Sequence, residues 1–149
     1  MRTIAPITGV VVANSGITLM ARMVGQNGQL VTIASITSPI QYSVRDLTAG
    51  STTTALATLG TPASLLYDNL QQNDPRWSID SADEPGEDGR HGYNFLATLD
   101  SGLFTAFDVE SEEPYKVTPH RWQVSVVFTP VSGEPWHVPF QFTAVPTWV

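Results

Sequence analysis

From His120 to Phe142 the chain reads HRWQVSVVFTPVSGEPWHVPFQF. Trp122, Val124, Val126 and Phe128 alternate with other residues, and Trp136, Val138, Phe140 and Phe142 do the same beyond the turn PVSGEP. Successive side chains of a strand leave opposite faces of the pleat, so period-two alternation of this kind predicts two half-buried strands. Joined by a Gly-containing turn, they form a hairpin with one apolar side. A two-stranded ribbon is marginal in water, and that side must therefore cover another sheet. Pro139 falls on the opposite side and has no N–H for a ladder, which places the last strand at a sheet edge or at a bulge.

The same reading extends along the chain. Ile17, Leu19, Ala21 and Met23 share a face ahead of Asn27-Gly28, a dipeptide suited to the positive φ of a tight reversal, and a shorter strand is expected over 30–33. Ile40, Tyr42 and Val44 oppose Gln41, Ser43 and Arg45, and STTTALATLG is expected to pair back on that strand. Leu65, Leu66, Asn69 and Leu70 show helical spacing behind Pro62, leaving a short helix and an irregular loop as open readings. Tyr93, Phe95, Ala97 and Leu99 form an inward face, LFTAFDV is a candidate strand, and ESEEPYKVTP reads as a connection. At the start, the β-branched run Val10, Val11 and Val12 before the turn cluster Asn14-Ser15-Gly16 predicts a strand or an extended arm. Short strands at close spacing with almost no helix predict an all-β fold, a single antiparallel, Ig-like β-sandwich with at most one short helix. Residues 1–14 are the N-terminal strand or extended arm, 15–145 the sandwich with an acidic insert at 80–92, and 146–149 a tail.

Composition sharpens this picture. A chain of 149 residues fits one domain and buries a sizeable core without staples. No cysteine is present, which excludes disulfides and thiolate metal sites. Charged residues are only 14% of the chain, against about 25% in average soluble proteins, and Ser, Thr, Gln and Asn fill the polar positions. Such a surface suits broad protein contacts, where charge would cost desolvation. The net charge is −7, and Arg2, Arg22, Arg45, Arg76, Arg90, Lys116 and Arg121 are scattered, so neither nucleic acid nor an anionic membrane is expected as partner. Ile7 to Ala13 is too short an apolar run to span a bilayer.

Candidate chemistry is sparse. Asp80, Asp83, Glu84, Glu87 and Asp88 supply the oxygen ligands that calcium favours, but the spacing departs from a calcium loop and a proline interrupts it, so a solvated loop is the simpler reading. Asp108, Glu110, Glu112 and Glu113 crowd together, as acid–base pairs do, yet a charged strand edge explains them as well. His91, His120 and His137 stand singly, show no zinc spacing, and are read as solvated surface residues. A Ser-His-Asp triad is defined only in space, and no G-x-S-x-G supports one. No catalytic residue and no cofactor is assigned, and the chain is read as non-enzymatic. Trp122 and Trp136 are in phase with the core face, whereas Trp77 and Trp148 are free to stack on sugars.

GITLMARMVGQNGQLV, QYSVRDL and the closing hairpin together resemble the small β-sandwich modules of tailed-phage virion proteins, the nearest being the N-terminal module of phage baseplate upper proteins. The resemblance rests on Asn27-Gly28, Gly133 and Pro139-Phe140-Gln141-Phe142. The chain departs from that family in its acidic insert after Asp80. The resemblance implies a virion location and a structural protein, with capsid decoration, neck and tail or baseplate all open. Its expected partners are copies of itself, in a homo-oligomer, and other virion proteins. The apolar ends, Ile7, Val10, Val11 and Val12 in the arm and Trp148 and Val149 in the tail, are the candidate partner-binding residues. The alternative reading is a carbohydrate-binding β-sandwich module, with Trp77, Tyr93 or Trp148 as stacking residues.

Overall fold

The computed structural model describes residues 2–3, 7–12, 17–25, 28–48, 55–71, 93–99, 107–109 and 117–145. Within them lie β1 (Arg2–Thr3), β2 (Ile7–Val12), β3 (Ile17–Ala21), β4 (Ile36–Asp46), β5 (Ala57–Gly60), α1 (Pro62–Leu65), β6 (Leu66–Gln71), β7 (Tyr93–Leu99), β8 (Phe107–Val109), β9 (Val117–Pro119), β10 (Arg121–Pro130) and β11 (Trp136–Val145). The larger sheet runs β11-β10-β4-β5, with β1 and β2 along the far side of β11, and the smaller runs β3-β7-β6. β8 and β9 pair as a separate ribbon. This all-β sandwich has the neighbour order G-F-C-C′ over B-E-D of an immunoglobulin-type domain.

The closing hairpin forms as its alternation requires. Val124 faces Phe140, Val126 faces Val138 and Phe128 faces Trp136 in the antiparallel β10–β11 ladder. Gly133 takes φ 113° in the turn, a conformation that a side chain would strain. On the other side of β10, Val124 faces Val44 and Val126 faces Tyr42. The inner face of the larger sheet is thus a continuous apolar surface of Ile40, Val44, Val124, Val126, Phe128, Val138, Phe140 and Phe142, all buried.

Opposite it, Ile17, Leu19 and Ala21 of β3 face Leu99, Ala97 and Phe95 of β7, all buried. The two layers meet in one apolar cluster. At its centre the Phe95 ring packs edge-on to Phe128, centroids 5.1 Å apart at 79°, and tilted against Phe140 at 6.0 Å. Phe95 belongs to one sheet and its two partners to the other, so this triad joins the layers directly.

Of three expectations about these elements, the strand at 30–33 needs correction, and the two others gain detail. The helical spacing after Pro62 delivers one turn only, because Leu66 already pairs with Phe95 and the chain continues as β6. Pro62 is buried at the start of that turn, and the Ser64 hydroxyl accepts the Thr61 N–H at 3.1 Å. The expected strand at 30–33 reduces to a bridge between Val24 and Leu30 before a 3-10 turn at Ile33–Ser35. Finally, the sheets are antiparallel except at β11, where β1 and β2 both pair in parallel.

Pro139 marks a break in that parallel edge. Thr3 pairs with His137 and Ile7 with Phe140, so the chain advances four residues while β11 advances three. β11 has neighbours on both sides and its register with β10 runs unshifted through Ser125 and Pro139, so the expected edge position or bulge is corrected at this proline.

Phe95→Ala removes the ring that bridges the sheets. The expected loss is about 3–5 kcal/mol of stability, as for other buried aromatic truncations, read as a lower midpoint in urea unfolding. A loss within error of zero would contradict the central role given to this triad.

Candidate functional site

The pleat that buries one side of β4, β10 and β11 necessarily presents the other. Register aligns Arg45, Ser43 and Gln41 of β4 with Gln123, Ser125 and Val127 of β10, and these with Gln141, Pro139 and His137 of β11. The Gln141 amide donates to Gln123 Oε1 at 2.9 Å, and the Gln123 amide donates to Ser125 Oγ at 3.1 Å. At the end of this chain the Arg121 guanidinium reaches Gln141 Oε1 at 3.5 Å. Each amide both gives and receives, so the side chains hold one another in register across the two strands. The face is not wholly polar. Val127 and Pro139, diagonal neighbours across β10 and β11, are buried within it.

One end of this face is anchored by a buried ionisable pair. His120 Nδ1 lies 2.6 Å from Asp46 Oδ2, with His120 only 5% exposed. An ionised carboxylate only accepts, so the imidazole donates from Nδ1. The other carboxylate oxygen of Asp46 accepts the Thr48 N–H at 2.9 Å. Around the pair, Leu47 N–H donates to Arg121 O, Arg121 N–H donates to Thr48 Oγ1, and Ala144 N–H donates to His120 O. The imidazole stacks on Trp122, centroids 6.0 Å apart. The ends of β4 and β11 and the start of β10 are thereby tied at one corner. A general base must reach its substrate, whereas this imidazole is enclosed, so the geometry describes a structural latch.

His120 was expected at the solvated surface, and the structure corrects this. The sequence places His120 beside a strand start but carries no sign of Asp46, which is 74 residues away. His137 does occupy the polar face, half-buried opposite Val127.

A second buried polar group was also unanticipated. Asn94 sits between inward residues of β7 and is fully buried. Its Oδ1 accepts the Met23 N–H at 2.6 Å, and its Nδ2 donates to the carbonyls of Met23 at 3.1 Å and Val31 at 2.9 Å. One side-chain amide thus supplies the pairing that a neighbouring strand would otherwise give. It clamps the reversal between Met23 and Val31, which Gly28 turns with φ 78°. Asparagine in a strand run with alternating apolar neighbours is the only trace of this in the sequence.

The candidate partner-binding residues divide. Ile7, Val10, Val11 and Val12 lie in β2, paired with Phe140, Thr143, Ala144 and Val145 of the chain's own β11. Trp148 and Val149 lie outside the described residues, as do Trp77, His91 and the calcium candidates Asp80, Asp83, Glu84, Glu87 and Asp88. So do Glu110, Glu112 and Glu113, while Asp108 falls in β8 opposite Thr118. Trp122 and Trp136 pack against the core, as their phase predicts. Among the described residues no group of three or more His, Asp or Glu side chains is placed to hold a metal ion, and no helix is long and apolar enough to cross a membrane.

Fold and site together define an all-β sandwich with a polar, amide-laced outer sheet face. No family model, curated protein or solved structure matches the chain.

Two substitutions test the buried polar groups. Asp46→Ala leaves the His120 imidazole and the Thr48 N–H without their acceptor, and a destabilisation of about 3 kcal/mol is expected. In a double-mutant cycle with His120→Ala the losses should be clearly less than additive, and additive losses would show that the pair contributes no coupling. Asn94→Leu strands backbone groups at Met23 and Val31, and about 2–4 kcal/mol should be lost in urea unfolding.

Proposed function

We propose that the chain is a non-enzymatic structural protein of a tailed-phage virion, a capsid decoration, neck or tail and baseplate component. It works by packing against copies of itself and other virion proteins. The observation that carries this reading is the outer face of the larger sheet, where three neighbouring strands present Gln, Ser, Thr and Arg around a buried Val127 and Pro139. Charged residues are depleted at the centres of protein interfaces because they lose hydration there, while amides and hydroxyls exchange water for partner groups at little net cost.

The sheet edges support the same reading. β2 is a six-residue strand, and among the described residues its side away from β11 has no partner. An edge of this kind is a template for pairing with another chain, through its backbone rather than its side chains. That gives Ile7, Val10, Val11 and Val12 a role in assembly compatible with their place in the chain's own sheet.

One observation favours the carbohydrate-binding alternative. Tyr67 is exposed and lies edge-on to Tyr93, centroids 6.0 Å apart, so an aromatic surface is open on the smaller sheet. Sugars stack on exposed aromatic faces. Tyr93 itself is half-buried against the core, which leaves Tyr67 as the better contact.

Sedimentation velocity over a dilution series should show a species heavier than the 16.2 kDa monomer that dissociates on dilution. A monomer at every concentration, together with specific glycan-array binding abolished by Tyr67→Ala, would replace assembly with sugar recognition. Deleting residues 1–12 removes the parallel strands from β11, and the expected result is a less stable, aggregation-prone chain, read by light scattering.

A further inference from the structure

We propose that the Arg45–Arg121 corner of the outer sheet face docks an acidic segment of a partner protein, with a carboxylate seated between the two guanidinium groups. The proposal rests on the assembly reading above and names the chemistry of the contact.

The two arginines are neighbours by register. Gln123 faces Arg45 across the β4–β10 ladder, and Arg121 lies two residues from Gln123 on the same face. Diagonal positions of this kind are about 7–8 Å apart, so two long side chains converge on one ligand. Both residues are exposed, and neither joins an ion pair among the described residues. The Arg121 guanidinium reaches Gln141 Oε1 at 3.5 Å, which leaves most of its five-donor fork directed at solvent.

Like charges this close repel, and no acid on the face offsets them. Among the described residues the carboxylates are Asp46, Asp68, Asp108 and Glu134. Asp46 is buried beside His120, Asp68 lies in the smaller sheet, Asp108 in the β8–β9 ribbon and Glu134 in the turn after β10. In a chain of net charge −7 the corner is therefore a local positive patch. An anion between the arginines relieves their repulsion, and the planar fork takes a carboxylate in a bidentate geometry.

The surroundings of the pair select a protein as the source of that carboxylate. Beyond the arginines the face continues through Gln123, Gln141, Ser43, Ser125 and Gln41, all neutral amides and hydroxyls. Peptide groups match these donors and acceptors, and the Gln141–Gln123–Ser125 hydrogen bonds orient them in advance. Duplex nucleic acid carries one charge about every 1.7 Å and binds to rows of cations, whereas two arginines followed by amides meet only the end of such a polymer. A segment with one or two carboxylates followed by uncharged residues fits the face in both charge and hydrogen bonding.

The test titrates the full, isotope-labelled chain at low ionic strength with hexaglutamate, hexaglutamine, inorganic phosphate and a single-stranded oligothymidine, following the arginine Nε–H signals by NMR. Hexaglutamate should shift Arg45 and Arg121 saturably, hexaglutamine should not, and the shifts should vanish as salt is raised. Arg45→Gln and Arg121→Gln should each weaken hexaglutamate binding at least about fivefold. Neither should lower the urea midpoint, because each removes a repulsion, and this separates a docking role from a structural one. Arg22→Gln, the same charge change beside β3 in the other layer, should leave binding within about twofold. Equal or absent shifts with the two peptides, or binding that survives both substitutions at the corner, overturns the site. Phosphate binding as tightly as hexaglutamate, or the oligothymidine binding more tightly, overturns the acidic segment as occupant. The titration reads the site without assembly, so its failure leaves the assembly reading to sedimentation. A chain that binds hexaglutamate yet sediments as a monomer keeps this site for a different protein and loses self-association.

Discussion

Contact between the Phe95 ring and the rings of Phe128 and Phe140 is the point on which the two layers of this molecule depend. With no cysteine in the chain, no covalent bond can join the sheets, and burial of apolar area between them has to supply the cohesion. An edge-on aromatic arrangement adds to that burial by matching the positive ring edge to the negative face. Val124, Val126, Val138, Leu19 and Ile17 fill the space around it, all essentially inaccessible to water. Close packing makes such a core sensitive to the loss of any one large side chain.

The outer face follows from the inner one. Once the pleat turns Trp122, Val124 and Val126 inward, Arg121, Gln123 and Ser125 must face out, and the register of β4 and β11 carries this across three strands. What the chain does with that face is a matter of side-chain chemistry. Mutually bonded amides are already oriented, and under the assembly proposal this reduces the entropy lost on contact. The latch at His120 and Asp46 holds the same corner from which Arg45 and Arg121 project, so stability and surface geometry share one set of backbone contacts.

Polar groups inside the sandwich show how far local pattern reaches. Asn94 is interpretable only once Met23 and Val31 are known to lie against it, 71 and 63 residues away in sequence. His120 has the look of a surface residue until Asp46 is placed beside it. In both cases the deciding interaction is a hydrogen bond between distant segments, and hydrophobic period contains no term for it. Of the two readings open after Pro62 the short helix forms, and it stops after one turn for a related reason: Leu66 pairs with Phe95 of a distant strand.

Alternation along 120–142, 40–45 and 93–99 was enough by itself to determine that the protein is all-β and which residues of these strands face its core. This works because the two faces of a strand differ by one residue, so burial is written directly into the order of the side chains. The parallel attachment of β2 to β11, the Phe95 triad, the Asn94 clamp, the His120–Asp46 latch and the juxtaposition of Arg45 with Arg121 were decided only in the tertiary structure. Each joins segments far apart in the chain, and strand order and register, which no local window contains, set which of them meet.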